Sequence, residues 1–168
     1  MLVLAPVNVP ARKEHRMDTK KVIAALNKAL VLEHTAVLQY KQHALLVHGL
    51  WRRVFGEFFG SHSKGSLEHA GKFGQKVVAL GGVPTVEVGT VYQATEVEEM
   101  LRQDLKLEQE TMQAYLETHA LAEGDVALRT MLETQIESEQ RDIEELEMYL
   151  DLVKTKGVER EVTLKRAK

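Results

Sequence analysis

Acidic residues interrupt an apolar helix face in the last third of the sequence. From Leu128 to Val153, leucine, isoleucine and valine recur every three or four residues, which is the spacing of one buried face of an α-helix. Glu139 lies within this apolar stripe, and Asp142 follows one helical turn later, close to the same face. A buried carboxylate is costly unless it is paired, hydrogen-bonded or bound to a metal. The folded chain must therefore provide partners for these two acids.

Three more helices are predicted from the same periodicity and from the residues that begin and end helices. Aspartate, serine and threonine favour the position before a helix, and glycine favours the position after its end. These signals predict helices over residues 18–47, 51–80, 95–124 and 125–154. The predicted N-terminal caps are Asp18, the capping box of Thr95 and Glu98, and Asp125. The chain is therefore expected to be all-α.

The connections between these helices differ in length. Residues 81–94 form a long link in the middle of the chain, whereas the other two links are only a few residues long. Short links join antiparallel neighbours, so we expect an antiparallel four-helix bundle with one crossover between its second and third helices. A length of 168 residues suits one domain. We divide the chain into a flexible arm (residues 1–17), the bundle (18–154) and a tail or short fifth helix (155–168).

The composition excludes several classes of function. Because the chain has no cysteine, it can form neither disulfides nor thiolate-held metal sites. A formal net charge of -3 gives no overall attraction to nucleic acid, so a nucleic-acid partner is not expected. No apolar run reaches the roughly 18 residues that a membrane-spanning helix needs. We therefore expect a cytoplasmic protein without a membrane partner.

Acids also interrupt the apolar faces of the first and third predicted helices. Glu33 lies on the first and Glu108 on the third, and a tyrosine follows each of them by seven residues. The corresponding face of the second helix carries His69. Carboxylates that converge in a bundle without a cation would repel each other. The residues predicted to bind a metal are Glu33, His69, Glu108, Glu139 and Asp142.

The types of ligand indicate which metal to expect. Carboxylate oxygen together with imidazole suits iron or manganese, bound as one or two ions, and suits zinc less in a chain without cysteine. Simpler explanations stay open for single residues, because an acid at the edge of a stripe can be solvated and a histidine or tyrosine can belong to the core. Glu145 is assigned to a solvated face. The residues predicted to lie beside the ligands are Ser66, Tyr40, Tyr115 and His62.

A family resemblance is carried by three stretches, which are LEHTAVLQY at residues 32–40, EEMLRQDL at 98–105 and LEMYLDL at 146–152. They resemble the ferritin-like superfamily, and within it bacterioferritin and related ferritin-like domain proteins. In this family, two helices each contribute one glutamate and two helices each contribute a Glu-x-x-His motif to a dimetal site. The resemblance implies a ferritin-like topology, with Glu33 and Glu108 as the single glutamates.

The sequence departs from the family pattern on two helices. On the second helix, Ser66 stands where the motif that ends in His69 has its glutamate. On the fourth helix, Asp142 stands where the motif that begins with Glu139 has its histidine. The resemblance therefore implies a weakened or asymmetric site that has lost one metal bridge. Bacterioferritins also bind haem through a methionine of the second helix, and Leu67 occupies that position, so haem is not expected.

Two functions from different classes are compatible with this sequence, and association of the basic tail with DNA is a weaker third, which the acidic body of the chain opposes. The resemblance implies an iron-binding protein that stores iron or oxidises ferrous ions with oxygen or peroxide, and the altered site leaves ferroxidase activity open. A homo-oligomer, either a dimer or a larger cage, is expected with it. The alternative is a redox-inactive ferritin-like bundle that serves as a structural or partner-binding module. The serine at position 66 favours the alternative, and the four remaining acids oppose it.

Overall fold

The structure of the protein is a computed structural model that describes the backbone of residues 17–166 and the side chains of residues 17–155. The predicted flexible arm lies outside the described residues, except for Met17. A single 3-10 turn, Gly49–Trp51, links the first two helices. The α-helices of the described part are α1 (Thr19–Leu46), α2 (Arg52–Ala79), α3 (Val97–Leu121) and α4 (Val126–Arg166). The prediction of an all-α four-helix bundle is confirmed.

Two of the three predicted helix caps are present. The carboxylate of Asp18 accepts a hydrogen bond from the backbone N–H of Lys21 (3.2 Å), and that of Asp125 accepts one from Leu128 (2.9 Å). The predicted capping box of Thr95 and Glu98 is wrong, because α3 begins at Val97, its cap residue is Glu96, and the side chain of Glu96 accepts no capping hydrogen bond. Val97 is buried in the core, and its burial favours a helix that begins at this residue. The side-chain cap that is missing would have contributed about 1 kcal/mol.

The last helix is longer than the sequence predicts. An end near residue 154 was expected, but α4 continues without a break to Arg166, so residues 155–166 extend this helix and do not form a separate one. This extension contains Gly157. A glycine inside a helix costs only about 1 kcal/mol relative to alanine, and good helix formers such as lysine, glutamate and arginine surround it. No helix within the described range has the length and apolarity of a membrane span.

The core consists of two apolar halves with a polar layer between them. One half is built from residues 22–30 of α1, 70–77 of α2, 114–122 of α3 and 128–132 of α4. The other half is built from residues 36–47, 55–59, 97–107 and 146–150 of the same four helices. Between the two halves, each helix contributes a buried polar side chain, and these are Glu33, Ser66, Glu108 and Glu139. The break in each apolar stripe therefore falls at the same level of the bundle.

The long connection between α2 and α3 follows α1 along the outside of the bundle. We call its residues 83–92 the crossover strap. Three of its backbone N–H groups donate hydrogen bonds to side chains of α1, and the positions advance in the same direction on both segments. The bonds run from Thr85 to Asn27 (2.9 Å), from Gly89 to Thr35 (2.8 Å) and from Tyr92 to Gln39 (2.9 Å). The strap thus carries the chain along α1 to the start of α3, as the predicted crossover requires.

Two glycines should respond in opposite ways to replacement by alanine. A Cβ atom on Gly82, at the start of the connection, would lie 2.8 Å from Ile23 and 3.0 Å from Val77, whereas one on Gly71, in α2, would meet no atom within 4 Å. We expect Gly82→Ala to lower the free energy of unfolding by about 1–3 kcal/mol through overpacking. We expect Gly71→Ala to raise it by about 0.5–1 kcal/mol, because the unfolded chain loses freedom. Urea titration of both variants measures these changes, and a similar effect of the two substitutions would contradict the packing described here.

Candidate metal centre

The polar layer surrounds a cavity that opens between α2 and α4. Its volume is about 230 Å³, and it is lined by Ser61, His62, Gly65, Ser66, His69, Glu108, Ser138, Glu139 and Asp142. Glu33 lies behind this lining and reaches it through His69. The three glutamates are almost inaccessible to solvent, with 1% of Glu33, 4% of Glu108 and 2% of Glu139 exposed. The structure therefore brings all five predicted ligands to one region of the bundle.

Three of these residues form a compact group around one imidazole. The Nδ1 atom of His69 lies 3.2 Å from a carboxylate oxygen of Glu139 and 3.6 Å from one of Glu33. One ligand atom from each of the three residues lies within 4.8 Å of the other two. Ligand atoms about 2.1 Å from a shared ion are separated by distances of this order. We call Glu33, His69 and Glu139 the inner group.

The two tyrosines hold glutamates of the opposite helical hairpin. Tyr40 of α1 donates a hydrogen bond of 2.5 Å to Glu108 of α3. In the reciprocal contact, Tyr115 of α3 donates one to Glu33 of α1. Both tyrosines are fully buried, so their hydroxyl groups need a hydrogen-bond partner, and each finds it in one of these acids. The two tyrosines are therefore more than apolar core residues. The seven-residue spacing between acid and tyrosine thus produces a reciprocal pair of contacts between α1 and α3.

Burial makes the acids of this layer reluctant to ionise. Desolvation raises the pKa of Glu33 to about 7, although the hydrogen bond to His69 opposes this change. Desolvation, together with repulsion from Glu139, raises the pKa of Glu108 well above its usual value and that of Asp142 to about 6. Burial lowers the pKa of His69, but hydrogen bonds to Glu139 and Glu33 outweigh it and raise the value to about 9. The layer without a cation therefore retains protons near neutral pH.

The arrangement fits a bound cation. The Oε2 atom of Glu139 is buried and receives no hydrogen bond from any described residue. An unpartnered buried carboxylate oxygen is expensive, and a divalent ion would both satisfy it and replace the retained protons. Carboxylate and imidazole ligands together suit iron or manganese.

The altered motif positions have different surroundings from those of the inner group. Ser66 is buried at the cavity wall, where its hydroxyl group donates to the backbone carbonyl of His62 in its own helix (3.1 Å). Asp142 lies outside the inner group, and its Oδ2 atom is 4.0 Å from Nδ1 of His62. Glu145 was assigned to a solvated face, but its carboxylate lies 3.9 Å from Nε2 of His62 and is only 42% exposed. Its spacing of three residues after Asp142 was the available sequence signal.

Sequence reasoning also missed a second buried polar cluster. Asp104 and His43 are both completely buried, and their side chains are joined by a contact of 2.9 Å. Gln39 donates to the other oxygen of Asp104 (2.9 Å) and also accepts from the strap residue Tyr92. Burial raises the pKa of Asp104 above its usual value, although the hydrogen bonds to His43 and Gln39 oppose this change. Asp104 lies one turn before Glu108 on α3, and that spacing could have revealed it.

Comparison with known proteins identifies relatives of this chain. Residues 23–155 match the family model described as a ferritin-like domain. The chain is 30% identical over 143 residues to a bacterioferritin of Brucella melitensis, which covers 83% of this chain and 89% of the relative. It is 30% identical over 127 residues to a nutrient stress-induced DNA-binding protein of Synechococcus sp., covering 68% and 72% of the two chains. A crystal structure of ferritin-like, diiron-carboxylate proteins from Bacillus anthracis matches with a TM-score of 0.77 and 34% identity, over 79% of this chain and 97% of that one.

The metal-free protein should become less stable as the pH rises from about 5 to about 9. Above pH 4.5 the unfolded chain has released the Glu33 proton, which the folded state keeps up to about pH 7, so rising pH favours unfolding. The charged form of His69 stabilises the fold fully below pH 6.5, and this stabilisation is lost as the pH rises to about 9. We expect a loss on the order of 3 kcal/mol from each of these two groups. Urea unfolding in the presence of a chelator, repeated across this pH range, measures it.

A pair of variants separates Glu33 from the other titrating groups. Glu33→Gln cannot take part in this proton exchange, so its stability should vary less between pH 5 and pH 7 than that of the wild type. Glu123→Gln removes an exposed acid and should keep the wild-type dependence. If the curves of the wild type and of Glu33→Gln run parallel, Glu33 does not have the raised pKa.

Proposed function

The chain belongs to the ferritin-like family, and from that membership we propose that it binds iron within its helical bundle, with Glu33, His69 and Glu139 as the principal ligands. The observation that carries the proposal is the inner group itself, in which two buried carboxylates flank one imidazole and one buried oxygen lacks a donor. The Bacillus anthracis proteins are described as diiron-carboxylate proteins, and a bacterioferritin is among the curated relatives. Iron is therefore preferred to manganese as the metal of this site.

The neighbouring residues prepare the ligands for the ion. Tyr115 holds Glu33, and Tyr40 holds Glu108, so that the acids keep their positions in spite of mutual repulsion. Because the cavity opens between α2 and α4, His69 and Glu139 can be reached from solvent while Glu33 stays behind them. Ferrous iron bound there supplies single electrons for the reduction of oxygen or peroxide.

The site is asymmetric in this proposal. The inner group is a complete set of three ligands that includes a histidine. The remaining acids, Glu108 and Asp142, would have to hold a second ion together with Glu139. This second set has no histidine and lacks a carboxylate at Ser66. Two ions about 3.5–4 Å apart are normally held by shared ligands. We therefore infer firm binding of one ion and weak binding of a second at the bridged position.

This asymmetry limits the chemistry that the centre can perform. Reduction of oxygen to peroxide, or of peroxide to water, takes two electrons, and each ferrous ion provides one. A centre with a single firmly held ion must collect these electrons in separate steps, so ferrous oxidation is expected to be slow or absent. Iron binding and storage do not have this requirement.

A role in storage requires association of several copies, and we propose a homo-oligomer, either a dimer or a larger cage. Large apolar side chains are exposed along the hairpin of α1 and α2, where Leu38 is 48%, Leu45 61% and Val54 49% exposed. Exposed apolar side chains mark a protein interface when they form one contiguous patch. The alternative function, a redox-inactive module, predicts the same surface but no bound iron. The DNA-binding name of one relative does not change the proposal, since this chain has a formal net charge of -3.

Restoring the missing carboxylate should strengthen the second metal position. We expect Ser66→Glu to bind one ferrous ion more than the wild type, beside the inner group and with a shared ligand, and to oxidise ferrous iron at least about 10-fold faster than the wild type. Leu67→Glu is the matched control, because it adds the same charge at the next residue of α2, on the exposed side of the helix. Anaerobic ferrous titration gives the stoichiometry, and absorbance after the addition of oxygen gives the rate. Rapid oxidation of two ions per chain by the wild-type protein would contradict the asymmetric site.

Loss of one inner ligand should abolish firm binding. We expect Glu33→Gln to weaken ferrous binding by at least about 10-fold, since removal of a group that merely supports a ligand already costs about 10–100-fold. Glu123→Gln, an exposed substitution of the same kind, should bind as the wild type does. Calorimetric titration with ferrous iron under nitrogen measures both. If the wild type binds no ferrous iron, or if Glu33→Gln binds it equally well, the proposed function is wrong and the structural module is favoured.

A further inference from the structure

A second group of metal-binding side chains lies at the mouth of the cavity. His62 of α2 faces Asp142 and Glu145 of α4, with nitrogen-to-oxygen distances of 4.0 and 3.9 Å. One ligand atom from each of these residues lies within 4.8 Å of the other two. We call these three residues the outer group. Like the inner group, it combines one imidazole with two carboxylates, and small side-chain rotations would bring its atoms to the spacing of ligands around one ion.

The imidazole of His62 is held in place without a hydrogen-bond partner. Its side chain is only 10% exposed, and its ring is packed against Tyr40 (5.0 Å between ring centres) and Phe58 (4.4 Å). Both distances to the carboxylates exceed the length of a hydrogen bond, and no described residue hydrogen-bonds to either ring nitrogen. The ring nitrogens of His62 are accessible at the cavity that the residue lines, so their hydrogen-bonding capacity is free for a ligand there. A ligand in front of the ring would account for its position.

Two cavities meet at the outer group. His62 and Ser61 line both the inner cavity and an outer cleft of about 500 Å³, whose wall also includes Glu57, Glu145 and Tyr149. An ion that approaches through this cleft meets His62 and Glu145 before it reaches His69. The outer group thus lies where the outer cleft meets the cavity of the inner group.

The outer group is too far from the inner group to be the second half of a bridged pair. His62 precedes His69 by seven residues on α2, which corresponds to about 10 Å along a helix axis. The metal ions of a bridged pair lie only about 3.5–4 Å apart. An ion at the outer group would therefore be bound separately.

We propose that His62, Asp142 and Glu145 form a second, separate site for a divalent first-row transition-metal ion, in place of the bridged position that Ser66 no longer supports. The proposal deepens the proposed function and rests on it only for the identity of the ion as iron. It assigns Asp142 to the outer group and gives His62 the imidazole role that position 142 does not supply. It also explains why Glu145, on a largely solvated helix face, is turned toward a buried histidine.

Cobalt(II) is the probe for the test, because it binds the same ligands and does not oxidise readily. Crystals of the full chain soaked in cobalt(II) should show two separate anomalous peaks, one at each group. Calorimetric titration should find two ions per chain in the wild type. In Glu145→Gln, one of them should bind at least about 10-fold more weakly, while the other is unchanged. Glu147→Gln is the matched control, because it removes a fully exposed acid two residues away and should keep both ions.

The second variant addresses the histidine directly. His62→Ala should lose the same ion as Glu145→Gln, and His48→Ala, at an exposed histidine, should lose none. Because Glu145 is partly exposed, Glu145→Gln keeps the test valid even if His62→Ala does not fold. No anomalous peak beside His62, or two ions bound with wild-type affinity in Glu145→Gln, would overturn the proposal.

Failure of this inference can be told apart from failure of the proposed function. The inference fails alone if Glu33→Gln removes a cobalt ion while Glu145→Gln removes none. The proposed function fails alone if Glu145→Gln removes an ion while Glu33→Gln leaves binding unchanged. Additive loss of one ion in each variant supports both sites.

Discussion

The burial of three glutamates at one level of the bundle is the constraint on which the rest of the structure depends. The apolar halves above and below them supply the hydrophobic stabilisation. When the four helices pack to form these two halves, the acids between them are buried as well. The raised pKa values of Glu33 and Glu108 show that the enclosure is unfavourable for charge, and the contacts of Glu33 with His69 offset only part of this cost. A bound divalent cation would offset the cost of burying these charges, because it would give each carboxylate a positively charged partner in a place where water cannot act as one. The same arrangement of buried acids would therefore couple metal binding to folding.

The ligands are divided between the two hairpins, and so are the groups that hold them. Glu33 and His69 come from the hairpin of α1 and α2, whereas Glu108 and Glu139 come from that of α3 and α4. Each tyrosine reaches across to the acid of the other hairpin. Neither hairpin alone can therefore complete the inner group, and an ion bound there would join the two halves of the chain. The same division explains why the two acid-to-tyrosine spacings in the sequence are equal.

Much of the fold and part of the site could be predicted from the sequence, and the limits have physical causes. Helix periodicity and the long central link predicted the bundle and its crossover, because burial of one helix face leaves a repeating pattern. The acids were found because they break that pattern. Contacts between side chains of different helices leave no such pattern in the sequence. The contact of His62 with Glu145 depends on the register of α2 against α4, and that of His43 with Asp104 on the register of α1 against α3. The start of α3 could not be read from its cap signal because core packing at Val97 outweighed it.

The crossover strap has a consequence for the behaviour of the protein in solution. It has valines at 83, 86, 88 and 91, which favour strand pairing, whereas Pro84 and Gly89 oppose it. Asn27, Thr35 and Gln39 occupy the backbone donors that another chain would use. Side chains of α1 thus accept hydrogen bonds that the backbone of a neighbouring strand would accept in a sheet. Three polar side chains of α1 thereby leave fewer backbone donors of the strap free for pairing with a strand of another chain.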